Sequence, residues 1–432
     1  MVQAERYFLC AARVVTCCDR LDSSNNPLGV IEDGAVLVDR GRIAEVGPRA
    51  HIVSAEPDLP ILFDAVDGVL TPGLIDAHTH LAWCGSRHDE YVLRMQGAGY
   101  EAIAARGGGI VASMQSIRSA SREQIEECLR IRLRRIASLG VTTCEVKSGY
   151  GLSLESERKQ LEAIAATSTD PSLPDVVPTF LALHAVPPEG KQDRAGWIQH
   201  VVANALPTIA REGLAQFVDA YIDRNAFSIE EARLLFEAAR HLHLGIRAHV
   251  GQFADIGGAS LAASMGAVCV DHVEHISEAA LAELAAAGTC VVLLPMACFT
   301  LKQDPPPIDS MRKAGVRLVV ASDANPGTAP TESLPLSLAF ALHTYRLSPE
   351  ECILGATRHA AVSLGRDKEI GSISKGKSAD LVVWDLRHEH AILQPWGSPM
   401  TRIVVRKGRV LHEAQHEAQR EAVRNTHHKT RP

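Results

Sequence analysis

The central part of the chain alternates short apolar runs, typical of buried strands, with longer stretches that have the apolar spacing of helices. The first run follows Pro72-Gly73 and ends at His78-Thr79-His80, and seven more lie at 141–146, 177–184, 217–222, 245–249, 267–272, 289–295 and 317–323. Helical segments separate most of them, at 121–139, 155–167, 229–243, 258–265 and 277–287. Eight strand–helix units predict an α/β fold, a closed (β/α)8 TIM-like barrel over residues 71–369. A doubly wound open sheet is the alternative.

The two ends of the chain have a different texture, that of strand–turn–strand hairpins. Residues 34–38 and 43–47 flank the turn at Arg40-Gly41-Arg42, and residues 403–405 and 409–411 flank a second turn at Lys407-Gly408. We expect residues 1–70 and 370–412 to pair into one small β-sandwich domain, with two independent hairpins as the alternative. Residues 413–432 are polar and lack an apolar stripe, which predicts a disordered tail.

Composition narrows the partners that this chain can have. The 432 residues carry a net charge of −7 and no long basic block, so neither nucleic acid nor an anionic membrane is an expected partner. The longest apolar run, about residues 290–299, is much shorter than the ~20 residues of a spanning helix. No signal-peptide pattern opens the chain, and its ten cysteines form no Cys-x-x-Cys pair. These features predict a cytoplasmic protein with reduced thiols.

Candidate chemistry begins at the end of the first apolar run. His78 and His80 are two residues apart, and on a strand such residues point to the same side. A lone His-x-His pair is weak evidence among nineteen histidines, and His241/His243 is one that we interpret as chance. The case for a site comes from residues that end other strand runs: His249, His272 and Asp323. Since the carboxyl ends of barrel strands meet at one mouth, we expect these groups to converge.

Three neutral imidazoles and a carboxylate suit Zn²⁺, with Fe²⁺ or Mn²⁺ as alternatives. We therefore predict that His78, His80, His249 and Asp323 hold one ion and leave a position for water. Such an ion lowers the pKa of bound water and polarises a carbonyl carbon. Asp323 is the expected general base, and His272 is a second candidate that orients the nucleophile. Separately, each residue also fits a structural role, as a packed histidine or a helix-capping aspartate.

Other residues near the predicted mouth suit a substrate with a carboxylate arm. Arg87 follows the first strand, and arginine is the preferred fork for a carboxylate, although a surface ion pair is its commonest role. Tyr150 sits between two glycines in a turn that aims its hydroxyl inward, unless it packs on the rim. Asn325, Gly327 and Thr328 directly follow Asp323 and offer an amide, backbone N–H groups and a hydroxyl, as an ordinary turn also would.

Several motifs resemble the amidohydrolase superfamily and, within it, the imidazolonepropionase family. The likeness runs from about Val30 to Gly408, nearly the whole chain. Its most specific stretches are Pro72-Gly73-Leu74-Ile75-Asp76-Ala77-His78-Thr79-His80, Gly107-Gly108-Gly109-Ile110, Lys147-Ser148-Gly149-Tyr150-Gly151-Leu152, His184-Ala185-Val186-Pro187-Pro188, Asp271-His272 and Asp323-Ala324-Asn325-Pro326-Gly327-Thr328. The resemblance implies one Zn²⁺, or Fe²⁺ or Fe³⁺, on the four predicted ligands. It implies that 4-imidazolone-5-propanoate is hydrolysed to N-formimidoyl-L-glutamate, as in histidine degradation.

The resemblance also implies roles for single residues. Arg87 and Tyr150 would hold the propionate arm, and His184 and Gln252 would face the ring, with Gln252 among the catalytic groups. Asn325, Gly327 and Thr328 would contact the substrate or the opened product. Lys147 would be a structural partner and not a carbamylated bridge between two metals.

The chain departs from the family pattern at Val250 and Gly251, after His249, and at residues 296–300. These departures leave open a related ring with a propionate arm, a thiohydantoin- or hydantoin-propionate as in ergothioneine breakdown. An aminohydrolase with the same ligands and a non-catalytic scaffold are further alternatives. The expected partner is a small molecule with a carboxylate arm. Barrels of this type often pair, so a homodimer is a further expectation, which no stretch of the sequence localises.

Overall fold

The computed structural model describes residues 5–19, 25–97 and 108–414. Most of the predicted polar tail, from residue 415 onward, lies outside these residues. The described chain opens with four strands: β1 (Arg6–Val15), β2 (Val30–Asp39), β3 (Arg42–Pro48) and β4 (Ile61–Pro72). The predicted hairpin is present, since β2 and β3 pair antiparallel around a turn in which Arg40 and Gly41 have positive φ angles of 46° and 78°.

Eight parallel strands then follow one another around a barrel. They are β5 (Leu74–Asp76), β6 (Val141–Lys147), β7 (Asp175–Leu183), β8 (Phe217–Ile222), β9 (Gly245–Val250), β10 (Cys269–His272), β11 (Cys290–Leu293) and β12 (Leu318–Val320). Each pairs with the next in chain order. Beyond β5 and β12 the chain makes a parallel bridge between Thr79 and Ala324, so that the first and last strands meet. The predicted (β/α)8 fold class is confirmed.

Helices cover the outside of the barrel and begin where the sequence supplies caps. Ser121 and Ser228 each form a capping box, at the starts of Arg122–Ser138 and Ile229–His241. The other α-helices in the described part of the chain are Arg49–Ala55, His88–Met95, Ile110–Ser119, Leu154–Ser168, Arg194–His200, Leu206–Arg211, Gly258–Ser264, Glu278–Ala287, Pro295–Leu301, Ile308–Ala314, Leu334–Thr344, Pro349–Gly355 and Arg358–Ser363. The strand predicted at 289–295 stops at Leu293, because Pro295 starts a helix, where its missing N–H costs nothing.

The C-terminal strands β13 (Leu381–Trp384), β14 (Thr401–Arg406) and β15 (Arg409–Glu413) join the N-terminal ones in a single mixed sheet. Its strand order is β15-β14-β13-β4-β1-β2-β3. The strands β4 and β13, which pair in this sheet, are separated in the sequence by all eight strands of the barrel. Trp384 anchors this pairing, because its indole N–H donates to Thr71 Oγ1 at 2.8 Å in a buried position. The exact division into domains stays a prediction.

The ten cysteines are free thiols, and seven of them are buried. Among the described residues, no helix combines the length and the apolar character that crossing a bilayer requires.

Candidate metal centre and active-site cavity

The bridge that closes the barrel also brings His78, His80 and Asp323 together. The Asp323 N–H donates to the His78 carbonyl at 3.1 Å, and the His80 N–H donates to the Ala324 carbonyl at 3.0 Å. As a result, Nε2 of His78 and Nε2 of His80 both lie 3.4 Å from the same oxygen, Asp323 Oδ1. All three side chains are buried.

His249, at the end of β9, completes the cluster. Ligand nitrogens of His78, His80 and His249 all lie within 4.8 Å of one another. Nε2 of His78 and Nε2 of His249 are buried and make no hydrogen bond to any described residue. A buried polar atom left without a partner costs about 1–3 kcal/mol, so orphan nitrogens gathered around one point fit a cation. The four residues predicted from the sequence are therefore together, and their donor set suits Zn²⁺.

Two aspartates orient these imidazoles from behind. Asp271 Oδ2 lies 3.0 Å from His78 Nδ1, and Asp219 Oδ1 lies 3.0 Å from His249 Nδ1. A carboxylate on one ring nitrogen fixes the tautomer and leaves the other nitrogen as a ligand. The sequence reasoning assigned no role to Asp219, although a carboxylate inside the apolar run Phe217–Ile222 was a signal for it.

A buried charge network supports the two aspartates. Lys147 Nζ lies 2.9 Å from both Glu145 Oε1 and Asp219 Oδ2, and 3.8 Å from Asp271 Oδ2. Arg247 NH2 lies 3.5 Å from Asp271 Oδ1 and donates to the Ala77 carbonyl at 2.7 Å. The charged side chains of the network are fully buried. Since Lys147 is held by three carboxylates, its geometry is that of a structural cation.

The surroundings shift the pKa values of Asp323, His80 and His78 in different directions. Burial raises the pKa of Asp323, but the contacts with His78 and His80 outweigh it and hold that pKa well below its usual range. Burial lowers the pKa of His80 to about 4. For His78, burial and Lys147 act to lower the pKa, but Asp271 and Asp323 prevail and raise it to about 9, so without a cation this imidazole is protonated and has to release its proton to become a ligand. Near pH 7 the site thus offers an ionised Asp323 and a neutral His80.

A cavity opens beside the cluster, and most of the predicted substrate residues line it. The lining comprises His80, Arg87, Ile110, Tyr150, His184, Tyr221, His249, Gln252, Phe253, His272, Asp323, Asn325 and Thr328. The predicted contact residue Gly327 is instead packed against Arg87, since a Cβ there would lie 2.3 Å from Arg87 NH1. Glu90 holds the other edge of that guanidinium through Nε at 2.9 Å and NH2 at 2.6 Å. Arg87 is thereby fixed with NH1 turned away from Glu90.

Tyr150 and His184 share one wall of the cavity. The loop that carries Tyr150 is pinned by the buried Glu157, whose carboxylate accepts the N–H groups of Gly149, Gly151 and Leu152, each at 2.7 Å. Gly149 has a φ of +104°, a conformation that favours glycine. His184 Nδ1 lies 2.7 Å from the Gly149 carbonyl, so Nδ1 donates and Nε2 is the free acceptor.

The remaining lining residues are fixed by short contacts of their own. Asn325 Oδ1 accepts the N–H of Gly327 at 2.8 Å and that of Thr328 at 2.7 Å, which sets the shape of the loop after Asp323. Gln252 Oε1 lies 2.8 Å from the Tyr221 hydroxyl, which donates to it.

The positions that depart from the family pattern lie outside the cavity lining. Val250 is buried in the barrel core, Gly251 packs on the His275 carbonyl, and residues 296–300 belong to the helix Pro295–Leu301. None of them is among the described residues that line the cavity.

Comparison with known proteins agrees with this geometry. The model of the amidohydrolase family matches residues 69–411. Imidazolonepropionases of Shewanella baltica (strain OS223) and Shewanella loihica (strain ATCC BAA-1088 / PV-4) are 40% and 39% identical to this chain, in each case over 90% of it and 95% of the relative. Among solved structures, a zinc complex of the atrazine chlorohydrolase of Arthrobacter aurescens TC1 has a TM-score of 0.68 at 17% identity, covering 98% of this chain and 99% of that one. Guanine deaminase of E. coli also has a TM-score of 0.68, at 16% identity, covering 95% and 100%. This chain belongs to the amidohydrolase family of metal-dependent hydrolases that act on C–N bonds.

Proposed function

We propose that this chain opens the ring of 4-imidazolone-5-propanoate to give N-formimidoyl-L-glutamate. The observation that carries the proposal is that Arg87 lines the same cavity as His80, His249 and Asp323 of the histidine–aspartate cluster. A hydrolytic centre and an anchor for a carboxylate are the two parts that this substrate needs. The 40% identity to imidazolonepropionases over 90% of the chain supports the same reaction.

His78, His80, His249 and Asp323 are the proposed ligands of one Zn²⁺, with Fe²⁺ or Fe³⁺ as the alternative. The bound ion supplies a Lewis acid and lowers the pKa of water so that it attacks near neutral pH. The two imidazoles held by Asp271 and Asp219 keep their Nε2 lone pairs directed at the ligand position.

Proton transfer falls to Asp323. Its Oδ1 faces His78 and His80, which leaves Oδ2 as the oxygen that takes a proton from the attacking water. The same oxygen then returns the proton to the ring nitrogen as the C–N bond breaks. His272 lines the cavity and, with its pKa lowered to about 3 by burial, stays neutral and orients the attacked carbonyl.

Substrate binding is assigned to other residues that line the same cavity. Arg87 and Tyr150 hold the propionate carboxylate, and the charge-assisted bond to arginine is the stronger contact. His184 accepts a ring N–H of the substrate at Nε2, because its Nδ1–H donates to the Gly149 carbonyl. Gln252, braced by Tyr221, meets the ring from the other side, while Asn325, Gly327 and Thr328 shape the loop behind the substrate.

The test is a spectrophotometric assay of purified, zinc-loaded protein with 4-imidazolone-5-propanoate, following the loss of ring absorbance. We expect turnover that disappears after chelation and returns with Zn²⁺, and an Asp323→Asn variant that folds but does not turn over. No turnover above the chelated control would refute the assignment of this substrate.

A parallel panel with hydantoin- and thiohydantoin-propionate, with sulfide measured for the second, distinguishes the ring. Faster turnover of either compound would move the function to that ring with the same carboxylate anchor. Ammonia release from aminated heterocycles, unaffected by Arg87→Met, would instead indicate an aminohydrolase.

A further inference from the structure

A buried carboxyl group without a partner lies directly behind the active-site cavity. The side chain of Glu274 is 1% exposed, and neither of its oxygens makes a hydrogen bond to any described residue. Its Oε2 lies 4.0 Å from Nδ1 of His272, a nitrogen that is itself buried and without a hydrogen bond. Burying an unpaired carboxyl and an unpaired imidazole nitrogen side by side is costly, so their placement calls for a role.

The backbone between His272 and Glu274 is strained, and its conformation places the Glu274 side chain beside the His272 ring. His272 and Val273 have consecutive positive φ angles of 78° and 68°, which for a β-branched residue is a rare conformation. Such strain costs on the order of 1–3 kcal/mol per residue and concentrates at functional sites. Two hydrogen bonds to the end of β9 impose it, from the Val273 N–H to the Val250 carbonyl at 3.0 Å and from the His275 N–H to the Gly251 carbonyl at 2.8 Å. The sharp turn that results leaves Glu274 beside the His272 ring.

The groups around Glu274 keep it uncharged near neutral pH. Burial raises its pKa to about 8; a contact with its own backbone N–H acts to lower it, and the carboxylates of Asp323 and Asp223 act in the same direction as burial. The other titratable neighbours are Tyr345 and Cys298, whose pKa values burial also raises. A protonated carboxyl can donate a hydrogen bond, and the neutral His272 offers Nδ1 as an acceptor.

We propose that Glu274 is a positioning residue whose carboxyl group hydrogen-bonds Nδ1 of His272 in the substrate-loaded site and fixes the tautomer that carries its proton on Nε2. This inference rests on the proposed function, in which His272 orients the attacked carbonyl. The present 4.0 Å separation has to shorten by about 1 Å, as catalytic hydrogen bonds do when a free site takes up its substrate. The Nε2–H of His272 is then a fixed donor to the oxygen on which negative charge develops.

Two replacements of Glu274 separate positioning from mere packing. In Glu274→Gln the amide N–H still donates to Nδ1, so we expect kcat within a few-fold of the wild type. In Glu274→Leu the donor is gone, and we expect kcat to fall roughly 10- to 100-fold, as for other residues that orient a catalytic group, with KM changed less than threefold. Tyr345→Phe removes the hydroxyl of another buried neighbour of Glu274, and serves as the matched control with unchanged kcat.

A second readout does not depend on turnover. ¹⁵N spectra of histidine-labelled protein, recorded with and without excess of the opened product N-formimidoyl-L-glutamate to fill the cavity and with the His272 signal assigned by its loss in His272→Gln, report which ring nitrogen carries the proton. We expect the Nε2–H form in the wild type and in Glu274→Gln, and a shift toward Nδ1–H in Glu274→Leu. An unchanged tautomer in Glu274→Leu, or a fall in kcat that only follows a loss of bound zinc, would overturn the proposal. If the wild type fails to open the imidazolone, the proposed function fails, while the spectra still decide whether Glu274 sets the tautomer.

Discussion

Replacing Lys147 by methionine tests the buried charge network on which the cluster rests. The change removes one cation and keeps most of the side-chain volume. In the wild type, Lys147 and Arg247 face the three carboxylates of Glu145, Asp219 and Asp271. In Lys147→Met, the carboxylates of Glu145 and Asp219 lose a partner at 2.9 Å in a fully buried setting.

The magnitude follows from the burial of these groups. Removing one partner of a buried ion pair costs about 3–5 kcal/mol, because the remaining charge is left uncompensated. We expect that loss in the free energy of unfolding of the metal-free protein, measured by urea denaturation followed by circular dichroism. Zinc affinity should also fall, by roughly 10- to 100-fold, since Asp219 orients His249.

The exposed Lys313 supplies the matched control, and Lys313→Met should change the stability by less than about 0.5 kcal/mol. A loss below about 1 kcal/mol in Lys147→Met, with zinc affinity intact, would refute the reasoning, because the network would then not support the site.

Two further predictions concern the substrate anchor and the pH dependence of stability. Arg87→Met should raise KM for the propionate substrate roughly 10- to 100-fold with little change in kcat, because it removes a charged hydrogen bond worth about 1.5–3 kcal/mol. The matched control is Arg122→Met, at an exposed arginine, which should leave both constants unchanged. If Arg87→Met has the same KM as the wild type, Arg87 does not anchor the carboxylate. Burial acts to raise the pKa of Asp175, but its contacts with the cations Lys407, Arg406 and Arg366 outweigh burial and lower that pKa. The ionised carboxylate therefore stabilises the folded state at pH values above the unfolded pKa of about 3.9. The difference in free energy of unfolding between the wild type and Asp175→Asn, measured by chemical denaturation, should be largest at pH 7 and should disappear as the pH falls through the lower pKa of the folded state. A difference that stays constant with pH would contradict this role of Asp175.

The sequence was sufficient to predict the barrel and the convergence of the four candidate metal ligands for one physical reason. Parallel strands of a barrel end at a common mouth, so polar residues that terminate apolar runs must meet there whatever their separation in the chain. The argument does not require the pairing register between the strands to be known. It predicts that His78, His80, His249 and Asp323 lie close together. Strand ends were less predictable, since residues 321–323 continue beyond Val320 with only a single bridge at Ala324.

The supporting layer could not be predicted in the same way. Asp219 and Arg247 are register partners on β8 and β9, but from the sequence each is an isolated charge in an apolar run. Finding that Lys147 joins them requires knowing which strand faces point into the barrel. The contact of Gly327 with Arg87 is harder still, because it depends on how two loops 240 residues apart pack together.

The central claim is that one cation binds where the first, fifth and eighth barrel strands meet. Anomalous diffraction at the zinc edge from crystals of the zinc-loaded protein tests it most directly. We predict a single strong peak per chain at about 2.0–2.2 Å from the imidazole nitrogens of His78, His80 and His249 and from a carboxylate oxygen of Asp323. A peak elsewhere, or no peak at this cluster in a protein that turns over its substrate, would contradict it.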